Sequence, residues 1–125
     1  MSIDHGLSAK ASLVVADADT AMAMGSGDVD VLATPRLVAL CEEACCRALT
    51  GALGTTETSV GVRVQFDHVA PIRTGTTVTA EATLERVEGR RLVFVVSAVD
   101  EAGLVAAGRM TRVIVDTETF RAKAR

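Results

Sequence analysis

The chain has 125 residues, thirteen Lys and Arg against sixteen Asp and Glu, and a formal net charge of -3, a size that makes one ordinary domain with one buried core. The missing basic excess and the absence of Trp and Tyr exclude a phosphate-backbone binder or a base-stacking platform, and no apolar run nears the roughly 18 residues that cross a bilayer. Residues 1–10 lack a basic stretch followed by an apolar one, and three clustered cysteines, Cys41, Cys45 and Cys46, make a poor disulfide framework, so no leader and a reducing cytoplasmic setting are expected.

With 49% hydrophobic but only 2% aromatic residues, the core must be built from Val, Leu, Ile and Ala. Residues 11–16 read as a short strand. Residues 17–30, rich in Ala, Met, Gly and Asp, read as a loop or partly helical lid. Thr34-Pro35 then opens a helix, with Thr34 as N-cap and Pro35 at the first helical position, running over 35–50 to the breaker Gly51. On a helical wheel Leu37, Leu40, Cys41, Ala44, Cys45 and Ala48 share one face. Glu43 and Arg47 lie opposite as an i,i+4 pair, and Glu42 falls at the shoulder of the apolar stripe.

The remainder reads as strands. Residues 58–70 alternate, with Val60, Val62, Val64, Phe66 and His68 on one face and Gly61, Arg63, Gln65 and Asp67 on the other. Residues 76–87 alternate again. Glu88-Gly89 marks a tight turn, 91–99 is a nearly continuous apolar run, 104–115 forms the last strand, and 117–125 is a polar tail with helical character. Short turns favour antiparallel neighbours. One long helix and about four long strands therefore predict an α+β domain over 1–125, the hotdog arrangement of an antiparallel sheet wrapped around one central helix. The second face of that sheet still carries Val93, Val95, Val99 and Val105, which predicts a partner copy, as a homodimer or a dimer of dimers.

Several residue groups carry chemistry beside a structural alternative. Glu42 is a shoulder carboxylate that either stands in water or serves a partly dry site. His68 ends an apolar strand face, as a satisfied core histidine or a proton carrier. Thr34 is explained as a cap, and a hydroxyl there also sits among free helix N–H groups. Gly61 marks a bulge or a close approach by a ligand. Arg112 is an ion-pair partner of some acid or a charge that orients Glu42 or a substrate. Arg90 and Arg91 form a basic hairpin, either solvated or facing phosphates. Glu43, paired to Arg47, is a weaker rival to Glu42. The cysteines read as small packing residues, and no paired Cys-x-x-Cys spacing points to a metal.

The segments Ala33-Thr34-Pro35, Leu40-Cys41-Glu42-Glu43-Ala44-Cys45, Arg47-Ala48, Val60-Gly61 with His68, Val87-Glu88-Gly89-Arg90-Arg91-Leu92 and 107–114 resemble, in order and spacing, the fluoroacetyl-CoA thioesterase family. The resemblance covers residue 33 to the C-terminus. It implies a hotdog dimer that hydrolyses short acyl-CoA thioesters without a metal and without a cofactor beyond the CoA of the substrate. Thr34, Glu42 and His68 then take the catalytic places, with Glu42 as nucleophile or general base. Gly61 lies by the acyl group and Arg112 in the active site. In the fluoroacetyl enzyme, phenylalanines ahead of the threonine form a lid over the acyl group. Here residues 25–32 contain no aromatic side chain, so the reaction class carries over and the acyl group does not. Two other functions remain on the same fold: a non-catalytic acyl-CoA or small-ligand binding module, and a hydratase or isomerase. Asp67 beside His68 does not make the Asp–His pair of the latter, since neighbours in a strand face opposite ways.

Overall fold

The alternation and turn chemistry produce one sheet and one long helix. In a computed structural model, which describes residues 3–125 and leaves Met1 and Ser2 outside the described residues, the chain runs β1 (Ser8–Val14), a 3-10 turn (Asp17–Asp19), α1 (Ala21–Met24), α2 (Thr34–Ala48), β2 (Glu57–His68), β3 (Thr77–Glu88), β4 (Arg91–Asp100), β5 (Gly103–Asp116) and α3 (Thr117–Ala122). Every strand pairing is antiparallel, in the order β1-β3-β4-β5-β2. Consecutive hairpins join β3, β4 and β5. The β3–β4 turn needs Gly89, whose φ of 63° suits a residue without a Cβ. β1 starts earlier than the alternation of 11–16 implies, because its ladder follows β3 from Ser8↔Thr83 onward, and polar residues suit an edge strand.

The six residues expected on the apolar face of α2 are all buried. They meet Val78, Ala80, Ala82 and Leu84 of β3 and Leu92 and Phe94 of β4. Each fully buried leucine contributes about 1.5–3 kcal/mol. α2 leans on β1 and β3 and hardly on β2. The inner face of β2 is therefore open, with Val62 and Val64 exposed.

Three expectations need correction. The helix begins one residue early: Ala33 is the N-cap, makes no side-chain cap bond, and Thr34 is already helical. The even alternation of β2 is broken by a bulge, since Gly61 pairs with Arg112 and Arg63 with Thr111, leaving Val62 as the extra residue. Ser59 and Gly61 consequently face the helix, together with Val64, Phe66 and His68, and Val60 turns outward. Val105, expected on the second face, is fully buried in the main core because the β4–β5 register shifts between Ala98 and Val99. Val95, Val99 and Leu104 do remain exposed on that second face. No helix among the described residues is long and apolar enough to cross a membrane.

Candidate active site

Two side-chain clusters lie along α2, one at its start and one two turns on. At the start, the hydroxyl that would have capped the helix reaches across to β2 instead. Thr34 Oγ1 lies 2.9 Å from His68 Nδ1, and His68 Nε2 lies 2.9 Å from the carbonyl oxygen of Ala70. A carbonyl can only accept, so Nε2 carries the ring hydrogen. In the neutral ring Nδ1 is then bare, and Thr34 donates its hydroxyl proton to it. β2 supplies this histidine because its inner face after the bulge presents His68 beside the buried Ala106. The uncapped helix start leaves free N–H groups next to the Thr34 hydroxyl.

The second cluster is ionic. Arg112 of β5 is 6% exposed, a burial a guanidinium tolerates only when its hydrogen bonds are met. Its Nε donates to Ser59 Oγ at 2.9 Å, its Nη2 to the Ser59 carbonyl at 3.0 Å, and its Nη1 to Glu42 Oε2 at 3.2 Å. The acid that pairs with Arg112 is therefore Glu42, whose side chain is 39% exposed. Gly61 lies against the same carboxylate: a Cβ there would sit 2.8 Å from Glu42 Oε2. Glycine thus makes room for Glu42, the close approach read from the sequence, with a side chain as the neighbour.

Within one chain the two clusters do not merge. Thr34 and Glu42 are eight residues apart on one helix, about 12 Å at 1.5 Å per residue. Thr34 and His68 come together, and so do Glu42, Gly61 and Arg112, but no contact joins the sets. Glu43 pairs with Arg47 at 2.7 Å on the solvent side. Arg90 is committed elsewhere: its Nη1 lies 3.1 Å from Glu57 Oε2 and 3.3 Å from the Ile114 carbonyl. The Gly54 N–H and Arg90 hold the Glu57 carboxyl below its usual range. Arg91 stands exposed at the start of β4. Neither arginine lines the Thr34–His68 cleft. Burial pushes the Cys41 thiol up to about 11 and the Cys45 thiol up to about 12, so both are protonated packing residues at neutral pH. No group of three or more His, Cys, Asp or Glu placed to share a metal ion occurs among the described residues.

A cleft of about 360 Å³ opens beside Thr34 and His68. One wall is residues 21–32, the other 69–71. The first wall is tied down: the Ala33 N–H donates to the Asp19 carbonyl, Leu32 N–H to the Ile72 carbonyl, and Arg36 Nε lies 3.0 Å from Asp19 Oδ1. Sequence reasoning missed Ser59 and Asp19. Ser59 had one legible signal, a polar residue alternating with Gly61 on the strand that carries His68.

Known proteins place this arrangement. The chain shares its fold with hotdog thioesterases: a thioesterase superfamily member from Thermus thermophilus superposes with a TM-score of 0.88 at 30% identity, over 97% of this chain and 90% of that one. The fluoroacetyl-CoA thioesterase FlK superposes with a TM-score of 0.91 at 32% identity, over 98% and 96% of the two chains. The model of the fluoroacetyl-CoA-specific thioesterase family matches residues 15–118. The fluoroacetyl-CoA thioesterase of Streptantibioticus cattleyicolor is 41% identical over 96 residues, 77% of this chain and 69% of that protein. The chain is thus a hotdog thioesterase, and it belongs to the fluoroacetyl-CoA-specific thioesterase family.

Proposed function

We propose that this thioesterase hydrolyses acyl-CoA thioesters without a metal, in a site built from Thr34 and His68 of one copy and Glu42 of a second copy. The observation that carries the reading is the Thr34–His68 hydrogen bond, whose fixed tautomer aims a bare nitrogen at a hydroxyl proton at the mouth of a cleft. As water adds to the substrate carbonyl, the Thr34 hydroxyl gives its proton to His68 and takes one from the water, and His68 later returns the proton to the leaving CoA thiolate. The free N–H groups at the start of α2 lie where the carbonyl oxygen gains negative charge. The carboxylate of Glu42 attacks or activates water. Water is added across the thioester, the C–S bond breaks, and the proton leaves on the CoA thiol.

The spacing along α2 supports a second copy. β2 is a free edge with open valines, and pairing it with its own copy antiparallel would extend the sheet. If the two-fold axis passes at Gln65 and Val62 remains the extra residue, the Gly61 of one copy faces the His68 of the other. Glu42 lies against Gly61, so that pairing carries a carboxylate toward the hydroxyl–imidazole pair. Gly61 and Arg112 then serve the acyl end by holding Glu42. Arg90 and Arg91 stay available to CoA phosphates only at the rim.

The test is release of free CoA thiol from a panel of acyl-CoAs, with Thr34→Ala, Glu42→Ala and His68→Ala alongside. Turnover lost in all three supports the site. Saturable CoA-ester binding with no hydrolysis above the uncatalysed rate would replace the reading with a binding module.

A further inference from the structure

We infer that the acyl group is an uncharged aliphatic chain longer than acetyl, held in the cleft between residues 21–32 and 69–71; this rests on the thioesterase reading of Thr34 and His68. The reacting carbonyl belongs at the Thr34–His68 end, so whatever is attached to it runs along the walls. Those walls are apolar, formed by Ala21, Val29, Val31, Leu32, Val69 and Pro71. Apart from Thr34 and His68 themselves, Ser26 is the one polar side chain among the lining residues, and none is a carboxylate, lysine or arginine. A charged acyl group would lose water there and find no partner. The pantetheine arm, with two amides to satisfy, is poorly matched for the same reason.

Size and exposure agree. A cleft of about 360 Å³ falls within the range of small-molecule sites, roughly 300–1,000 Å³, and an acetyl group leaves most of it unfilled. Val29 and Val69 line the cleft, one on each wall, at 53% and 59% exposure, large apolar side chains left largely open by this chain. An alkyl chain between them removes that surface from water. Branched aliphatic walls without aromatic rings also leave the cleft unblocked above Thr34.

The experiment measures kcat/KM of the full chain for acetyl-, butyryl-, hexanoyl- and succinyl-CoA by thiol release. Each buried methylene raises kcat/KM about fourfold, so hexanoyl-CoA should exceed acetyl-CoA by about two orders of magnitude, with succinyl-CoA no better than acetyl-CoA. Val29→Asp should lower the hexanoyl-to-acetyl ratio about tenfold. Because that is a ratio within one protein sample, partial misfolding cancels. Acetyl- or succinyl-CoA turned over better than hexanoyl-CoA, or a ratio untouched by Val29→Asp, overturns this inference and leaves the thioesterase site standing. No turnover of any thioester removes both.

Discussion

The two side-chain clusters along α2 are built on opposite principles. At Thr34 the tie is a hydroxyl–imidazole hydrogen bond to His68, whose proton can move between its two partners. At Glu42 the partner is a guanidinium at 6% exposure, and the carboxylate is held by charge and by the absence of a side chain at Gly61. The first end is adapted to transfer, the second to position.

Breaking the transfer end should have the largest effect. His68→Ala is expected to lower kcat/KM about 10²–10⁴-fold. Thr34→Ala should match it in activity while leaving the melting temperature almost unchanged, because the hydroxyl makes no cap bond. A melting temperature that fell by many degrees would return Thr34 to a structural role. The separation of the ends is sharpened by mixing: Thr34→Ala and Glu42→Ala chains, each inactive alone, should after subunit exchange recover about a quarter of wild-type activity, since half the dimers are mixed and each of these holds one intact site. Sites contained within single chains would recover none.

Smaller effects test the positioning end. Gly61→Ala puts a methyl 2.8 Å from Glu42 Oε2. Displacing the carboxylate should lower kcat about tenfold with KM less affected. Ser59→Ala removes one of three Arg112 hydrogen bonds. It should cost about 1–2 kcal/mol in urea unfolding and reduce activity severalfold through a less firmly held Glu42.

The smallest effect concerns the thiols beneath that end. Burial raises Cys41 to about 11 and Cys45 to about 12 from an ordinary 9.0, with Arg112 lowering Cys45 in part. The folded state therefore retains protons that the unfolded chain releases between roughly pH 9 and 11. Stability should fall there, by at most about 1.4 kcal/mol per pH unit for each thiol. Cys45→Ala should flatten the decline measured by denaturant titration at pH 8 and pH 10.

Local patterns made most of the fold legible. The α2 face from Leu37 to Ala48 is a period of one element, and the Gly89 turn is two residues of chemistry. The misreadings all involve partners remote in sequence. Thr34 before Pro35 has every local mark of a cap; what takes its hydroxyl is a histidine 34 residues on. Val60, Val62 and Val64 look like one unbroken face, and only the pairing with β5 places an extra residue among them. Ser59 shows only its alternation with Gly61, and the guanidinium that gives it importance lies 53 residues later. Of the site, residue types were readable at Thr34, Glu42 and His68. Their division into two clusters was not, because it depends on how far a helix rises between positions 34 and 42.

The bulge at Val62 has a consequence for how this strand can change. It acts as a one-letter frame adjustment between two halves that must both face α2: Ser59 and Gly61 before it, His68 after it. Removing one residue at 62 or 63 would leave a plain pleat with both halves still facing α2, whereas flattening the bulge with all its residues kept would invert one half, so that either the imidazole or the cradle of Arg112 points into solvent. The stretch from Gly61 to His68 can therefore shorten by one residue only if the bulge goes with it. Related chains that work the same way should carry either this length with a bulge or one residue fewer without it.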